Sequence, residues 1–396
     1  MKKLMILGAS ILQLPAIRTA KEMGLYVIAV DMDENAIGFK EADECLVIST
    51  IDIPSVLEAA KRLKINGIMT LASDMPIRTV SAIADELGII GISKETAHKA
   101  TNKILMRECL RNNKIPIPLF YRVNDFDNYM NVIKHFRKSC IVKPADNSGS
   151  RGVYLIKNIN DIDDVNFAYK YSKEFSHCGE IVVEEFMKGP EVSVETLSIN
   201  GQVHIIAITD KLTTGAPRFV EMGHSQPSRL SCDIKRQINI ITKAAVQALG
   251  ILIGPSHTEI IITKDGPKIV EIGARLGGDN ITTHLVPLST GIDMVKCCIE
   301  LALGDKPNIY EKTDKASAIR YFETGSGKLV DINGIKEANE VVGVKQISFV
   351  KKIGDILNNI NSSADRIGFV VSQADNVGNA ISTCEKAISK VKISIN

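Results

Sequence analysis

The sequence carries almost no net charge. Its 48 lysines and arginines nearly balance its 46 aspartates and glutamates, which leaves a formal charge of +2 over 396 residues. A strongly basic composition, the usual signature of a protein that binds nucleic acid or an anionic membrane, is therefore absent, although a local basic patch is still allowed. We expect neither nucleic acid nor a membrane among its partners.

Long apolar runs and closely paired cysteines are also missing. No apolar stretch approaches the roughly 20 residues needed to cross a bilayer, and the start at residues 1–10 predicts a first strand rather than a signal peptide. The eight cysteines are scattered without a C-x-x-C pair, and the adjacent Cys297 and Cys298 fall in a helix-like run that predicts core packing. We therefore expect a reducing, cytoplasmic setting.

The first hundred residues alternate between apolar strands and amphipathic helices. Nearly continuous apolar runs stand at 3–7, 25–30, 45–48 and 67–71. Strands of this kind are buried on both faces, which is typical of a parallel sheet covered by helices. The pattern predicts a Rossmann-like α/β domain over residues 1–100.

The pattern changes after a helical stretch at 93–113. Strands now follow one another directly, and the pattern pairs 140–143 with 152–155, 181–186 with 192–199, and 192–199 with 203–209 through the Asn200-Gly201 turn. Short strands and one final helix at 376–391 occupy the last segment. At about 150 residues per domain, we predict an α+β body over 101–308 and a smaller C-terminal α+β domain over 309–396.

Two well-known phosphate-binding signatures are incomplete. Asp31 follows the Gly8 turn at the distance of a dinucleotide site, but serine and glutamine stand at positions 10 and 13, where that site requires glycine. A Walker A sequence is absent as well. We predict a closely packed turn at the carboxyl ends of the strands rather than an NAD site.

A different phosphate-binding candidate lies after the strand at 140–143. This strand delivers Lys143 into a loop of small residues that includes Ser148, Gly149 and Ser150. Backbone N–H groups of such loops approach phosphate oxygens closely, and a lysine adds a point charge. A flexible hairpin with an exposed lysine has the same sequence, so this segment alone leaves both interpretations open.

The segment 182–195 combines apolar and acidic residues in alternation. Glu191, Ser193 and Glu195 share one face of a strand, and valines share the other. A purine nucleotide needs backbone groups for its base, an apolar surface for its ring and a carboxylate for its ribose, all of which this segment contains. An amphipathic edge hairpin would look the same.

The most informative segment is 257–278. Its two apolar strands flank a three-residue turn at 264–266, which sets the register so that Glu259 faces Glu271. Facing Cβ atoms lie about 5 Å apart, so the two carboxylates need neutralisation, which Mg²⁺ held by carboxylates and phosphates supplies. Two solvated glutamates on a sheet edge are the alternative. Arg275, four residues further on, is within reach of an anion held by such a metal.

A loop-rich stretch supplies candidates for an acceptor pocket. A single histidine is more often structural than functional, so each of these residues is ambiguous by itself. The candidates for substrate contact are Lys211, Glu221, His224, His257 and Gly278.

Taken in order, these segments resemble the ATP-grasp superfamily of carboxylate–amine and carboxylate–thiol ligases. The resemblance spans nearly the whole chain and is greatest to the L-amino-acid-ligase-like branch, itself similar to carbamoyl-phosphate synthase and biotin carboxylase domains. It rests on Asn102-Lys103 with Met106-Arg107, on Val-Lys-Pro at 142–144, on Glu-Glu-Phe at 184–186 with Glu191, and on Glu259 with Glu-Ile-Gly-Ala-Arg-Leu-Gly-Gly at 271–278.

The resemblance implies ATP and Mg²⁺ as cofactors, with Mn²⁺ as an alternative metal, and it assigns residues to them. Lys103 and Lys143 would contact the ATP phosphates under the loop containing Ser148, Gly149 and Ser150, the hinge Glu184, Glu185 and Phe186 would hold adenine, and Glu191 would bind ribose. Glu259 and Glu271 would hold the metal, and Arg275 with Lys143 would act on the transferred phosphoryl group. Gly273 stands where many members have asparagine, which leaves one metal ligand to water.

The activity implied by the resemblance is formation of an amide in two steps. A small carboxylate, expected to be an amino acid, is activated by ATP as an acyl phosphate and is then joined to an amine, with release of ADP and phosphate. A carbamoyl-phosphate-synthase-like or carboxylase-like ligase that uses bicarbonate, and a nucleotide-binding module without turnover, are the alternatives. The partners implied are small carboxylates and amines, and a homodimer is left open.

Overall fold

The computed structural model describes residues 1–216, 218–310 and 313–396. The first unit is a parallel sheet with strand order β3-β2-β1-β4 and helices packed on it, as the alternating pattern predicts. In chain order its elements are β1 (Lys3–Leu7), α1 (Leu14–Glu22), β2 (Tyr26–Asp31), β3 (Glu44–Val47), α2 (Ile53–Leu63), β4 (Gly67–Thr70) and α3 (Pro76–Leu87). The Asp31 carboxylate accepts a hydrogen bond from the backbone N–H of Ala9, which ties the first turn closely to the sheet.

The helical stretch predicted at 93–113 is two helices, α4 (Lys94–Ala100) and α5 (Lys103–Asn112). The chain breaks between them because the side chain of Asn102 accepts hydrogen bonds from the N–H groups of Ile104 and Leu105, which caps the second helix. The break places Lys103 in the first turn of α5, at the mouth of the cleft described below.

A four-stranded antiparallel sheet follows, with strand order β5-β8-β6-β7. Its elements are β5 (Phe120–Val123), α6 (Phe126–Ile133), β6 (Cys140–Pro144), β7 (Tyr154–Ile156), α7 (Ile162–Glu174) and β8 (Ile181–Glu185). The predicted pairing of 181–186 with 192–199 is wrong, because β8 pairs with β5 and β6 while the next strand joins another sheet. Adjacent strands in sequence do not form a hairpin here, since the Gly189-Pro190 segment carries the chain from one sheet to the other.

An eight-stranded sheet dominates the rest of the chain, with strand order β13-β12-β9-β10-β11-β14-β18-β16, in which β14 (Ala316–Tyr321), β18 (Gly368–Ala374) and β16 (Val344–Phe349) come from the C-terminal segment. Its first part contains β9 (Glu191–Ile199), β10 (Gln202–Thr213), β11 (Glu221–Gln226), α8 (Cys232–Leu249), β12 (Gly254–Thr263), β13 (Gly266–Gly273), α9 (Val286–Thr290) and α10 (Met294–Ala302). The predicted hairpin at Asn200-Gly201 is confirmed, and Cys297 and Cys298 are buried in α10.

The C-terminal segment adds its own small sheet and also extends the large one. Its elements are β14 (Ala316–Tyr321), β15 (Gly327–Asn333), α11 (Ile335–Asn339), β16 (Val344–Phe349), β17 (Ile356–Leu357), β18 (Gly368–Ala374), α12 (Val377–Ile388) and β19 (Lys392–Ile395), and the small sheet has the order β17-β15-β19. Since β14, β18 and β16 continue the eight-stranded sheet, this sheet contains strands from both sides of the predicted boundary at residue 308. The domain boundaries at about 100 and 308 stay predictions.

The β12–β13 hairpin contains an instructive difference from the expected register. A three-residue turn would have paired Thr263 with Pro267, but the turn has two residues, so Thr263 pairs with Gly266. A register shift between Glu259 and Ile260, typical of a β-bulge, then displaces the ladder by one residue. The two differences cancel, and Glu259 does lie opposite Glu271.

One hydrophobic core joins the three parts of the chain. It contains Leu4 and Ile6 from the parallel sheet, Leu197 from the large sheet, Leu285 from the short helical turn before α9, and Val371 from the C-terminal segment. Each of these side chains is fully buried. The parallel sheet, the large sheet and the C-terminal strands are therefore packed against each other, which fixes the edges from which the functional side chains emerge.

Gly189 provides a test of the crossing between the two sheets. It has φ +152, and a Cβ atom there would lie 1.9 Å from the carbonyl oxygen of Ile262. We expect Gly189→Ala to lower the free energy of unfolding by about 3 kcal/mol or more, from backbone strain and overpacking together. Gly24→Ala is the matched control, because Gly24 has φ +73 with open space around it, and about 1 kcal/mol is expected there. Equal losses of stability in urea unfolding would contradict this account of Gly189.

Candidate functional site

A cleft forms where the parallel sheet, α5 and the two antiparallel sheets meet. Its walls bring together residues that are distant in sequence, among them several predicted site residues. It is lined by Asp74, Met75, Ala100, Thr101, Asn102, Lys103, Met106, Asp146, Asn147, Ser148 and Glu271. Two phosphate-binding candidates, Lys103 and Ser148, therefore line the same cleft as Glu271, one of the two metal candidates.

Lys103 connects the small-residue loop to the predicted metal carboxylates. Its Nζ donates a hydrogen bond of 2.6 Å to the carbonyl oxygen of Asn147 and lies 3.2 Å from a carboxylate oxygen of Glu271. The Lys103 side chain is only 8% exposed, against 25% for Glu271. A lysine held in this way presents its charge to the cleft in a fixed position.

Lys143 is held by a second ion cluster deeper in the protein. Its Nζ lies 2.6 Å from Glu184, whose other oxygen accepts a 2.7 Å bond from Arg107. Burial by itself would raise the pKa of Glu184, but the two cations together lower it to about 2. The side chain of Glu184 thus orients Lys143, and the role of Glu184 in an adenine hinge stays a prediction.

Arg107 connects the two antiparallel sheets, a role that the sequence did not predict. It is fully buried, and besides Glu184 it donates a 2.6 Å bond to the carbonyl oxygen of Val270 on β13. Since Glu184 belongs to the four-stranded sheet and Val270 to the large one, this guanidinium joins the two sheets beside the cleft.

The small-residue loop contains three residues in the left-handed conformation. Gly149, Ser150 and Gly152 have φ values of +64, +57 and +74, and the side chain of Asn147 anchors the loop through a 2.8 Å bond to the carbonyl oxygen of Phe175. Ser148 lines the cleft. Residues 147–152 lie between β6 and β7 and take no part in the ladder that joins these two strands.

The predicted hinge residues stand at the end of β8. Glu185 accepts hydrogen bonds from the Lys268 ammonium at 3.0 Å and from the backbone N–H of Leu119 at 3.2 Å. The ring of Phe186 lies 6.2 Å from that of Phe219. An apolar ring surface and a carboxylate therefore lie next to each other where the chain crosses between the two sheets.

A single buried ammonium group is shared by three carboxylates. Lys211, 4% exposed, lies 2.6 Å from Glu191, 3.0 Å from Glu259 and 3.6 Å from Glu221. Burial would lower the pKa of Lys211, but these carboxylates raise it well above its usual range. The cluster contains more acid than base, which leaves its carboxylates able to receive a further cation.

His257 lies between two glutamates, one of which is the Glu259 that Lys211 also contacts. Its Nδ1 lies 2.6 Å from the buried Glu195 and its Nε2 lies 3.6 Å from Glu259. Burial would lower the pKa of His257, but the two carboxylates raise it to about 9. Gly277 packs directly over this contact, where a Cβ atom would lie 2.6 Å from Nδ1 of His257.

Arg275 has a partner that the sequence did not reveal. Its guanidinium donates bonds of 2.7 and 3.1 Å to the two carboxylate oxygens of Asp74, which lies between β4 and α3. Asp74 follows a strand of the parallel sheet, and ligand sites of such sheets lie at the carboxyl ends of their strands. The position of Asp74 after a parallel strand was the one feature of the sequence that could have identified it as a site residue.

The remaining candidates for substrate contact are His224 and Gly278. His224 is buried on β11 and faces Asp279, which neither motif nor spacing had singled out, and Asp279 in turn binds Arg366 of the C-terminal segment. A Cβ atom on Gly278 would lie 3.7 Å from the side chain of Ala72, so the turn after Arg275 packs on the N-terminal unit.

The donor set of Glu259 and Glu271 fits a magnesium ion. Mg²⁺ is usually held by one or two carboxylates together with phosphate oxygens and water, not by an all-protein cage. The two carboxylates face each other on paired strands, each is about one quarter exposed, and Lys103 opens toward the same cleft. Within the described ranges no group of three or more His, Cys, Asp or Glu side chains forms a complete metal cage.

Two stretches of the chain match known domain families. Residues 136–283 match the ATP-grasp domain, and residues 320–396 match L-amino acid ligase C-terminal domain 2. The first stretch contains Lys143, Glu184, Glu259, Glu271 and Arg275. The chain thus contains an ATP-grasp domain and an L-amino acid ligase C-terminal domain 2, and by class it is an ATP-dependent carboxylate–amine ligase.

Individual relatives agree with this placement. The L-arginine-specific L-amino acid ligase of Bacillus subtilis is 24% identical over 299 residues, which cover 74% of this chain and 71% of the relative. A phosphoribosylamine–glycine ligase of Methanococcus maripaludis is 25% identical over 409 residues, covering 94% of this chain and 86% of the relative. The solved L-amino acid ligase of Bacillus licheniformis has a TM-score of 0.87 at 23% identity, covering 100% of this chain and 99% of its own. The fold expected from the motifs is confirmed.

Across the described parts of the chain, no helix is both long enough and apolar enough to cross a membrane.

The charge on His257 predicts a pH dependence of stability. A histidine whose pKa rises from 6.5 to about 9 on folding stabilises the native state fully below 6.5, and this contribution is lost as the pH rises through 9. We expect His257→Gln to flatten the fall in unfolding free energy between pH 6.5 and 9. His98→Gln, at an exposed position, is the control and should leave the slope unchanged. Identical slopes for the native protein and the His257 variant in urea titrations would contradict this prediction.

Proposed function

We propose that this protein is an ATP- and Mg²⁺-dependent ligase that activates an amino acid as an acyl phosphate and joins it to an amine. The observation that carries the proposal is the facing pair Glu259 and Glu271. Glu271 lines the cleft with Lys103, and Arg275 binds Asp74 in the wall of the same cleft. Two carboxylates on neighbouring strands, surrounded by cations from three other elements, suit a metal with a polyphosphate. The match of residues 320–396 to an L-amino acid ligase domain supports an amino acid as the substrate.

The nucleotide would lie between the two antiparallel sheets. Lys103 and Lys143 would contact its phosphates, with Ser148, Gly149 and Ser150 covering them from the loop. The backbone at Glu184, Glu185 and Phe186 would hold adenine, and Glu191 would bind the ribose hydroxyls. The exposed positions of Gly149 and Ser150 and the fixed positions of the two lysines support this placement of the nucleotide.

Glu259 and Glu271 would hold Mg²⁺, or Mn²⁺ in its place. When bound there, the metal neutralises charge on the phosphoryl oxygens. Lys211 and His257 keep Glu259 ionised, because they hold the pKa of its carboxyl well below the usual range despite its burial. The protein thus keeps this ligand in its charged form throughout the neutral pH range.

In the first step an oxygen of the donor carboxylate attacks the γ-phosphorus of ATP. The bond between that phosphorus and the bridging oxygen breaks, and ADP leaves with the electron pair. In the second step the amine nitrogen attacks the acyl carbon, the carbon–oxygen bond to phosphate breaks, and the nitrogen loses its proton to water as orthophosphate leaves. Phosphate is a far better leaving group than oxide, which is why the first step is needed.

Arg275 is the side chain we assign to charge developing during both steps. Asp74 holds its guanidinium by two hydrogen bonds, so the cation is oriented before the substrate arrives. Preorganised donors of this kind stabilise a transition state because they need no reorganisation when the charge develops. Closure of the loop at 147–152 would exclude water, which would otherwise hydrolyse the acyl phosphate.

The substrates proposed are a small carboxylate and a small amine, with amino acids as the first candidates for both. The chain contains one apparent ATP-grasp unit, which speaks against a carbamoyl-phosphate synthase with two such units. Both lysines, both glutamates and Arg275 are retained, which speaks against a binding module without turnover. A reducing cytoplasmic setting and a homodimer remain part of the proposal.

A substrate screen tests the proposed function. The purified full-length protein with Mg²⁺-ATP should release ADP and phosphate when supplied with pairs of amino acids, and mass spectrometry should find the corresponding dipeptide. Bicarbonate with ammonia is included to test the carboxylase-like alternative. If no carboxylate stimulates ATP cleavage, the ligase proposal fails.

Removal of one metal carboxylate gives a more pointed test. Glu271→Gln keeps the shape of the side chain but removes its charge, so we expect turnover with Mg²⁺-ATP to fall by about 100-fold or more. Glu340→Gln, at an exposed position after α11, is the control. Thermal unfolding of both variants checks the fold. Full activity of the Glu271 variant would refute the metal assignment.

A further inference from the structure

Glu195 is a buried carboxylate beside the reaction centre to which the proposed mechanism gives no part. It stands on β9 directly opposite His257 of β12, and it is fully buried. Its Oε1 atom lies 2.6 Å from Nδ1 of His257, which is the donor because an ionised carboxylate only accepts hydrogen bonds. Its Oε2 atom has no hydrogen-bond partner among the described residues. Glu195 is therefore bound to the ring of His257.

Close packing prevents Glu195 from touching a substrate or a metal ion itself. A Cβ atom at Gly277 would lie 2.9 Å from each of the two carboxylate oxygens, so this glycine packs directly against them. The side chain of Glu195 is 0% exposed. Any effect of Glu195 on the reaction centre must therefore pass through the ring of His257.

The second nitrogen of the His257 ring lies beside a predicted metal ligand. Nε2 is 3.6 Å from Oε1 of Glu259, and Nζ of Lys211 is 3.0 Å from the same oxygen atom. Lys211 belongs to β10, whereas His257 belongs to β12. Two nitrogen atoms from different strands thus converge on one of the two oxygens of this carboxylate.

The other oxygen of Glu259 takes no part in these contacts. No hydrogen bond to its Oε2 atom is found in the described ranges of the chain, and the Glu259 side chain is 26% exposed. Since Oε1 is held from two sides, rotation of the carboxylate is restricted and Oε2 keeps one direction. Mg²⁺ requires nearly ideal octahedral geometry, so a fixed direction of the ligand oxygen favours its binding.

Stabilisation of the fold is a weaker explanation for the pair of Glu195 and His257. Replacement of a buried ion pair by well-packed apolar residues of similar volume is often neutral or stabilising. The neighbouring residues on the same two strands, Thr196 and Ser256, face each other with neutral hydroxyls 2.5 Å apart. The charged pair instead stands on the face of β12 that carries Glu259, since residues two apart in a strand share a face.

We propose that Glu195 is a positioning residue of the metal site. It holds the ring of His257, and His257 together with Lys211 holds Oε1 of Glu259, which directs Oε2 toward the metal. This inference rests on the proposed function, in which Glu259 is a metal ligand. Replacement of outer groups that orient a ligand typically changes the metal affinity by about 10-fold to 100-fold.

Binding of Mn²⁺ in the presence of ADP tests this role without turnover. The EPR signal of free Mn²⁺ gives the Kd for the metal in the purified full-length protein, and calorimetry gives the Kd for ADP without metal. The variants are Glu195→Gln, His257→Gln and the two combined. Thr196→Val is the matched control, because it removes a buried polar contact from the same two strands on their opposite face.

We expect the Kd for Mn²⁺ to rise about tenfold or more in both single variants. The double variant should bind Mn²⁺ no more weakly than His257→Gln alone, because Glu195 acts through His257 and coupled residues are not additive. The Kd for ADP should stay within about twofold of the native value in every variant, as for residues distant from a bound group. Thr196→Val should match the native protein in both measurements.

Three results would overturn the inference. An unchanged Mn²⁺ affinity of Glu195→Gln would show that the carboxylate does not act on the metal site. Equal losses of Mn²⁺ and ADP binding would show that the pair merely supports the fold. A double variant much weaker than His257→Gln would show that Glu195 acts by another route. If Glu195→Gln does not fold, as judged by thermal unfolding, Glu195→Asp replaces it with the same expectation, since it withdraws the carboxylate from the ring.

Failure of this inference is distinguishable from failure of the proposed function. Mn²⁺ binding with ADP but no turnover with any carboxylate and amine would overturn the proposed ligase activity alone, because the metal measurements decide the role of Glu195 by themselves. A native protein that binds no Mn²⁺ in the presence of ADP would overturn both the metal assignment of Glu259 and the role of Glu195.

Discussion

The like charges of Glu259 and Glu271 belong to residues that face each other across two paired strands, and the site depends on offsetting their repulsion. Two unit charges about 4 Å apart repel by roughly 4 kcal/mol at an effective dielectric constant of about 20, whereas a backbone hydrogen bond contributes only about 1 kcal/mol net. The hairpin cannot offset such a term by itself. Lys103 and Lys211, supplied by α5 and β10, lie 3.2 and 3.0 Å from the two carboxylates and offset it. Both elements therefore bring a cation to the hairpin where its like charges need one.

Much of this arrangement is predictable from the sequence wherever it depends on residues that are close together in the chain. The parallel sheet, the Asn200-Gly201 hairpin and the facing glutamates follow from periodicity and turn chemistry. The prediction that the glutamates face each other is correct, but the turn is one residue shorter than expected and a register shift typical of a β-bulge restores the pairing. Asp74, Asp279 and Arg366 were missed because each acts through a partner more than 80 residues away in the chain. The pairing of β8 was wrong because a glycine–proline segment can carry a chain between sheets as well as fold it back.

The small net charge of +2 conceals a strong local separation of charge. Lysines 103, 143 and 211 and arginines 107 and 275 are each bound to carboxylates within the cleft or beside it. Pairing of this kind is what makes burial of so many charges possible, because an isolated buried ion is destabilising by several kcal/mol. A near-neutral composition is thus compatible with a site built for a multiply charged anion and its metal.

These ion pairs also cross the boundaries between the parts of the chain. Asp74 binds Arg275 from the parallel sheet, Arg107 joins the two antiparallel sheets, and Arg366 reaches Asp279 from the C-terminal segment. On the proposed function, a nucleotide phosphate that reaches Lys103 or Lys143 meets an ammonium group already paired with Glu271 or Glu184. Binding is then an exchange of one anion for another rather than the filling of an empty positive pocket. Since Glu271 is released by that exchange at the moment when the phosphates arrive, the carboxylate becomes available to a metal only when there is a phosphate for the metal to bridge.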